Sequence, residues 1–253
     1  MEYAVLVDPA KCIGCRACQV ACKRWNDLPG EVTTFSPEWT NPPKLSFNTF
    51  THIKFKFEHN KETDEMKWRF FNWRCMHCKD PACLPACPVQ AITKYDKGAV
   101  VIDSEKCIGC KFCVSACPFD VPQYDPDTGK VSKCTMCFDR TPSKEPACVQ
   151  ACPTDALIFD TRETIIEKAK QRKEEINGNI YGDVDKKPLG GTSFIYVLDA
   201  QPSVFGLPEV PEAPPPEVSI VKNSKWLLVP AALGGLAYLI AWRKRRMQEK
   251  GEE

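Results

Sequence analysis

Sixteen cysteines in a chain of 253 residues fall into four tight groups of four. Group I is Cys12, Cys15, Cys18 and Cys22; group II is Cys75, Cys78, Cys83 and Cys87; group III is Cys107, Cys110, Cys113 and Cys117; group IV is Cys134, Cys137, Cys148 and Cys152. Groups II, III and IV run straight into a proline (Pro88, Pro118, Pro153), whereas Lys23 follows Cys22. Such spacing is a metal-ligand pattern. A C-x2-C-x2-C loop wraps three thiolates around one cubane, and the fourth cysteine starts a helix that leads away, so in two-cluster ferredoxins it serves the neighbouring cluster. Zinc is the alternative, since it also takes four thiolates from C-x2-C pairs. Zinc ribbons separate those pairs by many residues; three cysteines at x2, x2 followed by Cys-Pro favour iron–sulfur. No cysteine is left over, and four groups of four predict four [4Fe–4S] clusters.

The groups then pair by proximity along the chain. Groups II and III make one ferredoxin pair, with one cluster on Cys75, Cys78, Cys83 and Cys117 and the other on Cys87, Cys107, Cys110 and Cys113. Groups I and IV pair across the chain, with Cys12, Cys15, Cys18 and Cys152 on one cluster and Cys22, Cys134, Cys137 and Cys148 on the other. The crossing closes a long loop, with the II/III unit inserted into the I/IV unit.

Elements must position these loops. Tyr3 to Val7 is an apolar run ending at Asp8-Pro9. Lys94 to Ile102 and Tyr124 to Lys133 read as hairpins turning at Asp96-Lys97-Gly98 and Asp127-Thr128-Gly129, and Ala156 to Phe159 as a strand after group IV. Between Leu45 and Trp73, Phe47, Ile53, Phe55 and Phe57 share one parity while Lys54, Lys56 and Glu58 take the other, with a turn at Asn60 to Glu65. This predicts an inserted hairpin with one apolar face, packed over the clusters or, failing that, docked on a partner. Asp160 to Asn177 reads as a helix, with Asp160 as N-cap, Glu163 as its partner and Gly178 as the stop. Its Lys/Glu-rich surface is expected to face water.

The expected architecture is α+β, with two interleaved ferredoxin-like two-cluster units. Residues 1–30 and 124–200 hold the group I/IV clusters, residues 75–123 the group II/III clusters, and residues 31–74 the inserted β-hairpin. A proline-rich linker follows over 201–223, then a single C-terminal transmembrane helix over 224–243 and a charged tail over 244–253.

The membrane helix rests on WLLVPAALGGLAYLIAW, the seventeen uncharged residues Trp226 to Trp242. That is the short end of a bilayer span. Tryptophans bracket it as interfacial anchors, Gly234-Gly235 suits close helix contact, and Arg243, Lys244, Arg245 and Arg246 follow at once, against Lys222 and Lys225 on the other flank. The positive-inside rule puts the C-terminus in the cytoplasm and the cluster domain on the periplasmic or outer face. The start MEYAVLVDPAKC has an apolar run of only five residues, so no secretory signal is expected, and the domain would cross folded, carried by a partner.

Other chemistry is sparse. A formal net charge of +1 gives no reason to expect a nucleic-acid partner. There is no GxGxxG or P-loop. Of the three histidines, His77 lies inside C-M-H-C and is expected to hydrogen-bond beside a cluster, while His52 and His59 are expected at the surface. No residue is expected to be catalytic; the chain reads as a wire for single electrons.

The stretches CIGCRACQVACKRWND, CMHCKDPACLPACP, CIGCKFCVSACPFDVP, KCTMCFDR with EPACVQACPTDAL, and LGGTSFIYVL (189–198) together resemble the iron–sulfur β subunit of membrane-bound respiratory formate dehydrogenases. The likeness covers most of residues 3–208 and includes a C-terminal membrane helix. The four-quartet pattern alone is similar to that of nitrate, polysulfide and dimethyl sulfoxide reductase β subunits and of hydrogenase partners; the ACxxWND ending of group I and the GGTxxxYVL segment tilt towards formate dehydrogenase. The resemblance implies a catalytic α subunit with molybdenum or tungsten bis-pterin and a membrane γ subunit with haem b and a quinone site. It also implies crossed ligation as above, with the I/IV pair nearer the catalytic subunit and the cluster of Cys87, Cys107, Cys110 and Cys113 nearest the membrane subunit.

Overall fold

Tyr3–Val7 forms strand β1, and its two faces divide the molecule. In the computed structural model the described residues are 1–35, 37, 39–60, 64–140, 144–182 and 189–209. In chain order they form β1, helix α1 (Ala17–Trp25), β2 (Thr51–Asn60), β3 (Glu65–Arg74), β4 (Ile92–Lys94), β5 (Val100–Ile102), α2 (Phe112–Ala116) and β6 (Gln123–Asp125). Then come β7 (Lys130–Ser132), α3 (Ala147–Gln150), β8 (Leu157–Thr161), α4 (Arg162–Glu175), β9 (Asn179–Tyr181) and β10 (Phe194–Leu198). The result is a mixed α+β fold.

The central sheet has the order β8-β1-β10-β9, with β1 antiparallel to β8 and parallel to β10. Side chains alternate across a strand. Ala4, Leu6, Ile195 and Val197 therefore point to one face, where Ile165 and Ala169 of α4 cover them. Val5, Val7, Phe194, Tyr196 and Leu198 point to the other, where they meet the cysteine loops and the base of β2–β3. The segment Leu189 to Ser193 clasps the group II loop before entering β10: Lys79 N–H donates to the Gly191 carbonyl and Asp80 N–H to that of Leu189. Three two-stranded sheets surround this core: β2–β3, β4–β5 and β6–β7.

The long hairpin pairs Thr51 with Arg74 at its base and Asn60 with Glu65 at its tip. Its apolar face is buried only near the base. Ile53 is enclosed, Phe55 is half-buried, and Phe57, Met66 and Trp68 near the tip are exposed. Gln19 of α1 anchors that base, accepting from the Ile53 N–H at 2.9 Å.

Four expectations need correction. His52 is not a surface residue; it is 1 % exposed, because the hairpin base is covered on both faces and parity no longer marks a wet side there. Helix α4 starts one residue later than expected. Thr161, not Asp160, is the N-cap and accepts from Thr164 N–H, while Asp160 lies within β8 and pairs with Lys168. At the other end Asn177, at φ 48°, takes the left-handed position expected of Gly178. The proline-rich stretch does not leave the core at residue 201. Pro202–Phe205 is a 3-10 turn that buries Phe205 edge-on against Phe71, and Leu207 is also enclosed. Among the described residues no helix is long and apolar enough to cross a membrane, and the expected span Trp226–Trp242 lies outside them.

Candidate iron–sulfur sites

The repeated C-x2-C-x2-C loops of groups I and III share a backbone. Gly14 and Gly109 sit at φ 69° and 68°, and Arg16 and Lys111, just ahead of α1 and α2, at φ 63° and 62°. Glycine suits that position because it meets no Cβ penalty there. At Gly109 space demands it as well: a Cβ would lie 2.0 Å from the Gly129 carbonyl oxygen in the β6–β7 turn.

The helices that follow differ for a physical reason. A proline disfavours the helical region for the residue before it. Cys117 is accordingly extended (φ −83°, ψ 115°), and α2 stops at Ala116. In groups II, III and IV the third residue after the last cysteine turns left-handed: Gln90, Asp120 and Asp155 at φ 54°, 52° and 52°. Group I has no proline. Cys22 stays inside α1, the helix continues to Trp25, and the left-handed turn is delayed to Asp27. The extension is held by Lys23 Nζ donating to the Asn48 carbonyl at 2.6 Å and by Arg140 stacked on Trp25 at 4.4 Å. Asn26 Nδ2 turns back to the Cys22 carbonyl at 2.9 Å and towards its Sγ at 3.6 Å.

Three voids lie among the cysteines. The first is lined by Cys12, Cys15, Cys18 and Cys152, the second by Cys75, Cys78, Cys83 and Cys117, the third by Cys87, Cys107, Cys110 and Cys113. Counting the space open to solvent at their mouths, they are of similar size, about 400, 360 and 300 Å³. Each set combines three cysteines of one group with the last cysteine of another. Cys22 lies among Cys134, Cys148 and Cys137. Burial pushes its thiol well above the ordinary range, and the charges of Cys134 and Cys148 push it the same way. Among the described residues no three His, Cys, Asp or Glu side chains converge on a point as a single-ion site requires. The thiolates stand around a space instead, which fits a cubane. A wider open groove lined by Lys44, His52, Lys54 and Trp73 holds no cysteine and is no cluster site.

Donors surround the sulfurs. Backbone N–H groups of Ala91, Val131 and Met136 point at the Sγ atoms of Cys87, Cys107 and Cys134 at 3.2, 3.4 and 3.4 Å. Burial dominates the thiols themselves, raising Cys18 and Cys134 to about 12 and Cys113, Cys117 and Cys137 to about 11. Buried thiolates need compensating positive charge.

Two wholly buried cations supply part of it, and neither belongs to the sequence-derived ligand set. Arg74 donates to Cys148 Sγ at 2.8 Å. Lys133 lines the second void, and its Nζ donates to the carbonyls of Val100 and Cys134. A signal was present: a basic residue precedes the first cysteine of every group, as Lys11, Arg74, Lys106 and Lys133. Lys11 and Lys106 are exposed, so only the fold separates the two kinds. His77 hydrogen-bonds as expected of it, accepting from the Val100 N–H at 2.9 Å on Nδ1; burial, with Lys133 and Arg74 adding to it, holds the ring neutral. His59 is exposed and pairs with Asp64.

Two family models, each described as a 4Fe-4S dicluster domain, match residues 11–91 and 66–162. The chain is 41 % identical over 248 residues to the formate dehydrogenase-O iron-sulfur subunit of Escherichia coli (strain K12), covering 95 % of this chain and 81 % of that one. It is 38 % identical over 246 residues to the formate dehydrogenase iron-sulfur subunit of Haemophilus influenzae, covering 94 % and 78 %. It is also 38 % identical over 160 residues to the thiosulfate reductase electron transfer subunit of Salmonella typhi, covering 62 % and 75 %.

Proposed function

The chain belongs to the family of formate dehydrogenase iron–sulfur subunits, and from that premise we propose a relay of four [4Fe–4S] clusters running from a catalytic subunit to a membrane partner. The electron-transfer role in a formate dehydrogenase follows from the family and the dicluster matches. The ligand sets are Cys12, Cys15, Cys18 and Cys152; Cys22, Cys134, Cys137 and Cys148; Cys75, Cys78, Cys83 and Cys117; and Cys87, Cys107, Cys110 and Cys113. The observation that carries this reading is the set of three voids, each lined by four cysteines drawn from two groups.

Clusters in these sites supply one-electron transfer at potentials tuned by charge, hydrogen bonds and exposure. The chain does the rest. Neighbouring thiolates give the four sets a linear order: Cys18 feels Cys148, Cys134 feels Cys75, and Cys83 feels Cys113. The two inner sets keep water out, with Cys22, Cys134, Cys137 and Cys148, and Cys75, Cys78 and Cys83, all buried. The outer sets each present one exposed cysteine, Cys15 and Cys110. Ile13 and Val20 flank the first, Ile108 and Phe112 the second, all exposed apolar side chains suited to partner contacts. The catalytic partner, a molybdenum or tungsten bis-pterin subunit, docks at the Cys15 end. A cytochrome b-type subunit docks at the Cys110 end. The chain itself is non-catalytic.

Residues Trp226–Trp242 anchor the chain in the bilayer in this reading, with the C-terminus cytoplasmic and the cluster domain on the outer face. Support comes from the apolar run and the four basic residues that follow it. Washed membranes should retain the full chain and release one truncated before residue 224; equal release of both would remove the anchor.

The deciding experiment is metal, sulfide and EPR analysis of the purified complex, followed by addition of formate. About sixteen iron atoms and reduction of the cluster signals by formate are expected. Zinc without acid-labile sulfide would overturn the relay. The similarity to a thiosulfate reductase subunit favours a second reading, the same relay serving another reductase. Clusters reoxidised by thiosulfate and inert to formate would select it.

A further inference from the structure

Arg74, at the end of β3, is 1 % exposed. Its hydrogen bonds go to an amide oxygen and a thiolate, not to a carboxylate. Nη1 donates to Cys148 Sγ at 2.8 Å, and Nε donates to Asn72 Oδ1. Asn72 Nδ2 in turn donates to Cys18 Sγ at 3.2 Å, while its Oδ1 also accepts from Thr51 Oγ1 at 3.1 Å. An unbroken hydrogen-bonded path therefore runs Cys18–Asn72–Arg74–Cys148, from the first ligand set to the second. The guanidinium lies over the Phe194 ring at 4.7 Å, and the Tyr196 hydroxyl fixes the Asn72 carbonyl at 2.8 Å. Nη2 is buried without a hydrogen-bond partner.

A buried guanidinium is costly unless compensated, and truncating one partner of such a pair exposes that cost. Here the compensation comes from two sets of sulfurs. We propose that Arg74, positioned by Asn72, raises the reduction potentials of the clusters on either side of it, most strongly the one on Cys22, Cys134, Cys137 and Cys148. The reason is electrostatic. Adding an electron makes a thiolate-ligated cluster more negative, and a fixed cation in contact with its sulfur stabilises that state. One electron leaves one cluster as it reaches the next, and no proton moves, since arginine keeps its proton throughout. The inference rests on the reading of these cysteines as cluster ligands.

The test is a redox titration followed by EPR on the assembled complex carrying Arg74→Gln or Arg74→Lys. With Gln, the electron should partition away from the second set by at least about tenfold, a drop of 59 mV for a one-electron couple. Lys, which keeps the charge, should recover most of that drop. The cluster on Cys87, Cys107, Cys110 and Cys113 should not move in either. Full iron with every signal titrating as in the unsubstituted complex would overturn the proposal, as would equal drops for Gln and Lys. If the Gln variant loses clusters, the unsubstituted complex grown on ¹⁵N-arginine decides: spin-echo modulation from arginine nitrogen at the reduced second set is expected, and its absence overturns the proposal. No iron in the unsubstituted complex would instead remove the cluster reading itself.

Discussion

Lys133 is enclosed in the core, and its ammonium group donates to the carbonyl oxygen of the very next residue, Cys134, at 3.2 Å. It donates also to Val100 and lines the void of Cys75, Cys78, Cys83 and Cys117, so one cation joins the two inner ligand sets. Lys133→Met keeps much of the bulk and removes both donors. Each buried carbonyl left unsatisfied costs about 1–3 kcal/mol. Iron loss to a chelator should accelerate at least about tenfold, beginning with the inner sets. Loss at the wild-type rate would count against the role.

The missing proline of group I makes a separate prediction. Lys23→Pro would impose on Cys22 the extended geometry seen at Cys117 and end α1 near residue 21. It would also remove the Lys23 contact to Asn48 and displace Trp25 from Arg140. Lys23, Asn48, Trp25 and Arg140 are not ligands, and Cys22 would take a geometry that Cys117 already has within its own ligand set. The variant should keep about sixteen iron atoms but co-purify with its catalytic partner at least about tenfold less. Retained assembly would show that the helix extension serves only the fold.

The iron–sulfur character, which the two dicluster matches bear out, was legible in the sequence because thiolate spacing is local. So were β1 and the hairpins at Asp96-Lys97-Gly98 and Asp127-Thr128-Gly129, where alternation and turn residues coincide. What escaped depends on distant contacts. His52 shares parity with Lys54 and Lys56, and only the covering of both hairpin faces buries it. Phe205 looked like part of a linker because its partner, Phe71, lies far away in the chain. Arg74 and Lys133 have the same sequence context as Lys11 and Lys106, yet only the first two stand between ligand sets. Sequence alone cannot rank four dipeptides of a basic residue and cysteine by depth.

His52 gives the hairpin a pH dependence. Burial, with Lys54 adding to it, lowers His52 from 6.5 to about 4. Between those values the unfolded chain binds a proton that the folded chain refuses, so stability falls as pH drops from 6.5 towards 4 and is complete above 6.5. The loss amounts to about 2 kcal/mol by pH 5, at 1.36 kcal/mol per unit. Native-state hydrogen exchange of the β2–β3 base, corrected for intrinsic rate, should show it. His52→Gln should start less protected but lose this slope; an unchanged slope would mean that another group titrates.

Gly109→Ala tests the outermost site through backbone alone. The substitution asks for a Cβ at φ 68° and 2.0 Å from the Gly129 carbonyl oxygen, and backbone on both sides leaves no flexible side chain to yield. The loop or the β6–β7 hairpin must move. Val131 in β7 donates its N–H to Cys107 Sγ at 3.4 Å, so movement there disturbs the same ligand set twice. Iron should fall from about sixteen to about twelve atoms, with loss of one EPR signal. The equivalent Gly14→Ala meets the Phe70 ring at 3.2 Å and the Phe55 ring at 3.5 Å, side chains able to shift. It should cost less iron than Gly109→Ala, although both glycines sit at nearly the same φ. Equal losses would mean that the left-handed conformation, not the backbone contact, sets the requirement.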